Sequence, residues 1–205
     1  VKETVKTWLF LLVLSLIVSV TLTAVSAGLK GRIEQNLRMV KVRSVLEVLN
    51  VPDRDGKTDA QLLALYDAKV TTPADMQGVY VYQENGQLEA IAFDAVGKGL
   101  WDTIKGLIAV ERDGQTIRGV RFYEQVETPG LGGEIGTPAF ERQFVGKKIA
   151  AADHVLQIIK PGVKPVLSDT EVHGITGATL TCDAVNIILK QAIERFQQSR
   201  KGQSL

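Results

Sequence analysis

The run Thr176-Gly177-Ala178-Thr179-Leu180-Thr181 sets three hydroxyls on a turn of otherwise small residues. Val185, Ile188, Leu189, Ala192 and Phe196 follow at helical spacing, with Asp183 where the dipole of a starting helix favours an acid. The pattern predicts a last helix over about residues 182–198, with Thr181 as its N-cap. A group held by Thr179 would then lie just before the helix, where unpaired N–H groups and the positive dipole end favour a phosphate. The chemistry open to this run is a phosphate ester on a threonine. The alternative is ordinary N-terminal punctuation of a helix, which the same residues also satisfy.

Two further segments have residue types suited to a flat ligand. In Gly97-Lys98-Gly99-Leu100-Trp101 the glycines open backbone conformations closed to other residues and allow close approach to the main chain. Trp101 is either a stacking face for an aromatic ring or a core residue. The second segment is Phe122-Tyr123-Glu124-Gln125-Val126-Glu127-Thr128-Pro129-Gly130-Leu131-Gly132-Gly133. Its Pro-Gly predicts a type II turn, followed by backbone donors that either face a ligand or belong to a plain surface loop.

Thr176-Gly177-Ala178-Thr179 is similar to the Ser/Thr-Gly-Ala-Thr flavinylation motif of bacterial redox-pump subunits that carry FMN covalently. With the other two segments it resembles the C subunit of the Na+-translocating NADH:quinone reductase. The match is less close to the related G subunit of the Rnf complex, the alternative within the same covalent-FMN family. Gly-Leu-Trp, and Tyr-Glu-Gln ahead of Glu-Thr-Pro-Gly-Leu-Gly, tip that choice, and the resemblance spans essentially the whole chain. It implies an electron-relay subunit with FMN joined through its phosphate to Thr179. Thr176, Gly177, Ala178, Leu180, Thr181, Gly99, Leu100, Trp101, Glu127, Thr128, Gly130, Leu131 and Gly132 would surround the cofactor. It further implies a separate flavin transferase, integral-membrane partner subunits of an ion pump, and no catalytic acid or base on the protein. The family usually has Asp where this chain has His173; Asp169 and Glu171 lie nearby. A reading from another class is an anchored binding or assembly protein without cofactor, which would not be yellow.

Residues 8–29 carry no charge and, at about 22 residues and about 33 Å, match a bilayer core. Lys2 and Lys6 with Val25-Ser26-Ala27 also suit a signal peptide, but the apolar run exceeds the about 7–15 residues usual there. An uncleaved anchor over residues 1–29 and one domain over 30–205 are expected. Lys30, Arg32, Arg38, Lys41 and Arg43 after the span favour an inward domain by charge alone. The resemblance implies the opposite: an N-terminus in the cytoplasm and a domain on the periplasmic side of the bacterial inner membrane. Ser15, Ser19, Thr23 and Ala27, four apart on one helical face, would let partner helices approach closely.

Net charge is +1, and with Lys2, Lys6 and Glu3 set aside the remaining charges balance. No basic stripe with interleaved aromatics occurs, so nucleic acid is excluded as a partner. Cys182 is the only cysteine, which rules out an intrachain disulfide, and His154 and His173 share no metal-ligand spacing. Gly97-Lys98 lacks the rest of a phosphate-binding P-loop.

The elements that must position these segments follow from periodicity and turn residues. A helix over 30–50 ends at Val51-Pro52, and Thr58 caps a second one to about Ala68. Strands at 78–82 and 88–93 flank Asn85-Gly86, and strands at 107–111 and 116–123 flank Asp113-Gly114. Thr137-Pro138 opens a short helix through Val145. The expected fold is α+β, an antiparallel sheet with peripheral helices preceded by one transmembrane helix. All three suspected cofactor segments fall at turns, and their convergence in space is expected.

Overall fold

A computed structural model describes residues 2–151, 154–163 and 166–201. The chain divides into two compact units, Val1–Val40 and Lys41–Leu205. Helix α1, Lys2–Val48, runs through both, and its apolar part is long and apolar enough to cross a membrane. In the first unit the large apolar side chains of that helix from Trp8 to Leu29 are all exposed.

Within the second unit the end of α1 contributes buried side chains. Val45, Leu46 and Leu49 are fully buried, and Asn50 adopts φ 51° as the helix ends. The N–H of Val51 then donates to the Leu46 carbonyl (3.0 Å) and that of Asn50 to Glu47 (3.0 Å). This is a Schellman ending with Asn in the left-handed position. Helix α2, Asp59–Lys69, starts with the expected Thr58, which forms a capping box with Gln61.

Strands β1 (Val70–Thr71), β2 (Val79–Glu84), β3 (Gln87–Lys98), β4 (Thr103–Glu111) and β5 (Ile117–Glu124) form one antiparallel sheet in chain order. Asn85 and Gly86 both have positive φ, as a two-residue hairpin turn needs to follow the strand twist. Val79, Val81, Ile91, Phe93, Ala95, Ile108 and Val110 alternate along the strands toward one face. Helix α4, Thr179–Lys201, supplies Val185, Ile188, Leu189, Ala192, Ile193 and Phe196 to the same core. Phe196 stacks on Phe93 with ring centroids 4.3 Å apart.

Between sheet and last helix lie α3, Pro138–Glu141, with proline in its first turn, and a 3-10 turn through Phe144. Short pairs β6 (Ala150–Ala151) with β7 (His154–Val155) and β8 (Gln157–Ile159) with β9 (Glu171–His173) follow, the second pair parallel. The expectation for His154 concerns a side chain outside those described. The architecture is the expected α+β, antiparallel sheet with helices around it and one long apolar N-terminal helix.

Two expectations need correction. The sheet is larger than its turn signals indicated, because β3 and β4 continue past the expected strands and join as a third hairpin through residues 99–102. Gly97 is accordingly a strand residue paired with Ile104, and its φ is not positive. A Cβ there would lie 2.5 Å from Cγ1 of Ile188, so this glycine lets α4 approach the sheet. The last helix also starts earlier, at Thr179.

Candidate functional site

The three segments singled out by residue type meet at one edge of the fold, around the carboxylate of Glu127, which is only 4% exposed. Its Oε1 accepts from the backbone N–H groups of Leu100 (2.9 Å) and Trp101 (3.2 Å), and its Oε2 from the Thr181 hydroxyl (2.7 Å). One side chain from the second segment thereby touches both the first and the third. Gln125 holds the Glu127 backbone in turn, its Oε1 accepting from that N–H at 2.6 Å.

Two glycines make room for this carboxylate. A Cβ at Gly99 would sit 2.5 Å from Glu127 Oε1 and 2.8 Å from the Asp102 carbonyl. At Gly132 it would meet the Thr181 hydroxyl, with Glu127 Oε2 at 3.1 Å. Neither glycine has positive φ; close approach is what each position requires. Gly130, by contrast, has φ 74°, and the Leu131 N–H donates to the Thr128 carbonyl at 3.1 Å, giving the turn predicted from Pro129-Gly130. Gly133 donates to the same carbonyl, so these donors close the loop on itself.

Thr181 is not an N-cap. Buried in the first turn of α4, it gives its hydroxyl to Glu127. The cap position falls to Ala178, whose carbonyl accepts from the Cys182 N–H at 2.9 Å and whose side chain has no acceptor. Among the described residues no group accepts from the N–H of Thr179, Leu180 or Thr181. Thr176, Gly177, Thr179 and Leu180 are exposed, while Ala178 is buried. Gly177, with φ 79°, faces Leu131: a Cβ there would lie 2.9 Å from its Cδ2.

Trp101 is 68% exposed, which removes the core reading of this residue. Its indole N–H donates to Thr128 Oγ1 at 3.3 Å. Leu100, Leu131 and Leu180 are exposed beside the same segments, as is Val126, which the residue types alone did not single out. Its only sequence signal is position: an apolar residue next to a glutamate that turns inward.

Cys182 is buried against Gly174, and burial pushes its thiol above the ordinary range. It belongs to the core. His173 lies exposed on β9, exchanging backbone hydrogen bonds with the Gln143 side chain (3.0 and 3.3 Å). Among the described residues no group of histidine, cysteine or carboxylate side chains could hold a metal ion.

A family model described as an FMN-binding domain matches residues 99–194, from the Gly99 loop to within α4. The C subunit of the Na+-translocating NADH-quinone reductase of Vibrio vulnificus is 31% identical over 215 residues, covering 84% of each chain. The chain belongs to that family of C subunits. The Pseudomonas aeruginosa C subunit is 29% identical over 260 residues, covering 99% of this chain and 98% of its own. The crystal structure of the Parabacteroides distasonis C subunit superposes with a TM-score of 0.71 at 27% identity, over 86% of this chain and 98% of that one. For Shewanella oneidensis NqrC, at 22% identity and a TM-score of 0.62, the likeness is one of fold. The C-subunit match to Vibrio vulnificus and Pseudomonas aeruginosa thus extends well beyond the three segments.

Proposed function

We propose that this chain is the electron-relay subunit of a membrane-bound Na+-translocating NADH-quinone reductase, with FMN esterified through its phosphate to the Thr179 hydroxyl. One observation carries the choice of Thr179: it is an exposed hydroxyl at the uncapped start of α4, beside N–H groups without acceptors among the described residues. Such a helix start favours a phosphate. Thr181 is a poor acceptor because it is buried and engaged with Glu127. The site's residues fit the group: open hydroxyl and donors for the phosphate, and exposed Trp101, Leu100, Leu131 and Leu180 for a flat ring.

When bound, FMN supplies the uptake and release of electrons. The chain binds and orients, and none of its side chains acts as acid or base. A threonine hydroxyl is a weak nucleophile, and no side chain among the described residues is hydrogen-bonded to Thr179 to activate it. Attachment therefore calls for a separate flavin transferase. The apolar part of α1 anchors the chain as a single span, with integral-membrane subunits as partners and unit Lys41–Leu205 on the periplasmic side.

Intact-mass measurement of the chain co-expressed with a flavin transferase tests the assignment. Thr179→Ala is expected to abolish the covalent FMN adduct entirely, while Thr176→Ala and Thr181→Ala keep it. An adduct that survives in Thr179→Ala places the ester elsewhere.

A further inference from the structure

We propose that Glu127 is a positioning residue: its buried carboxylate latches the 99–102 hairpin loop to the first turn of α4 and so fixes Trp101 relative to Thr179. This rests on the reading of Thr179 as the attachment point. The two carboxylate oxygens divide the work, Oε1 holding the Leu100 and Trp101 N–H groups and Oε2 the Thr181 hydroxyl. In the chain these partners lie 26, 27 and 54 residues away. Loop and helix otherwise belong to separate elements.

The fold is built around this group. Gly99 and Gly132 leave the space it fills, and Gln125 fixes its backbone. A hairpin between neighbouring antiparallel strands needs no such help, as Asn85-Gly86 demonstrates by closing with backbone conformation alone. Burying a carboxylate is costly, and apolar replacements of buried charges are often neutral or stabilising. Its presence where Trp101 meets the threonine run is explained by what it aligns. By holding the hydroxyl of Thr181 it also keeps that threonine turned inward, leaving Thr179 as the accessible hydroxyl of the first turn.

Residue-resolved amide hydrogen exchange on the full chain in detergent reads the latch directly. Glu127→Leu is expected to speed exchange of the Leu100 and Trp101 amides at least tenfold while the amides of β2 keep wild-type rates. Glu127→Gln, whose amide oxygen still accepts both N–H groups, is expected to stay within about threefold of wild type. Where Glu127→Leu does not fold, Glu127→Asp keeps the charge, shortens the reach, and is expected to show the same tenfold change. Wild-type rates at both amides in the Leu or Asp variant, or an acceleration spread evenly over the sheet, overturn the proposal. The mass of the same samples separates the two readings, because wild-type chain without FMN on Thr179 sinks the function and leaves the exchange result standing.

Discussion

Two carboxylates in this domain do the same chemistry in opposite settings. At the turn between β4 and β5, Asp113 Oδ1 accepts from the N–H groups of Gln115 and Thr116, both at 2.8 Å, and Oδ2 from the Thr116 hydroxyl. At the β3–β4 loop, Glu127 likewise takes two backbone N–H groups on one oxygen and a threonine hydroxyl on the other. Asp113 spends its hydrogen bonds on its own turn, with the Lys148 ammonium 3.7 Å away, and stays about half exposed, whereas Glu127 is buried and its hydrogen bonds reach across the fold. A local, wet carboxylate shapes one turn. A remote, dry one couples segments that the chain leaves independent.

The largest loss is expected from crowding the cradle of the remote carboxylate. Gly99→Val would drive side-chain atoms into Glu127 and the Asp102 carbonyl, and the expected loss of stability is about 3 kcal/mol, measured by urea unfolding. Gly114→Ala, at the local turn, meets only the flexible end of Arg200 but has φ 68°, and about 1 kcal/mol is expected. Equal losses at the two glycines would erase the distinction between the carboxylates.

Asp113 itself offers a pH test. Burial raises its carboxyl, but hydrogen bonds from Thr116 and Gln115 and the nearby Lys148 ammonium prevail and hold it down to about 2. A folded value below the unfolded one means that its contribution is complete above about pH 4 and is lost as pH falls toward 2. Asp113→Asn is expected to flatten that part of the acid-unfolding curve, costing about 0.5 kcal/mol at neutral pH because solvent screens the group. An unchanged acid limb would mean that the turn holds its shape without the charge.

The smallest effect is expected at Trp101. Because its ring is largely exposed, Trp101→Ala should lower stability by less than about 0.5 kcal/mol, where a core tryptophan would cost about 3–5 kcal/mol. Flavin fluorescence of the modified protein should change all the same. A large fall in melting temperature with unchanged flavin spectra would return Trp101 to a packing role.

Features that depend on neighbouring residues were legible in the sequence. Asn85-Gly86, Asp113-Gly114, the Thr58 cap and Thr137-Pro138 each specify backbone within a few positions, and each marks the element expected of it. The β3–β4 hairpin was missed because Gly97-Lys98-Gly99-Leu100-Trp101-Asp102 contains no two-residue turn signal; its loop is held by Glu127 from the following segment. The start of α4 was misplaced for a related reason. Thr181 has the right chemistry for a cap, and only its partner 54 residues upstream shows that the hydroxyl faces the other way. The three segments were recognisable by residue type, while the carboxylate joining them has no local signature.

The far end of α4 adds a mechanical consequence. There Arg200 donates to the Asp113 carbonyl at 3.1 Å, while near the beginning of the same helix Thr181 donates to Glu127. The two pins stand about 28 Å apart along a rod that rises about 1.5 Å per residue. A rod pinned near both ends cannot roll about its own axis, so the bearing of Thr179 toward the sheet is held from two directions.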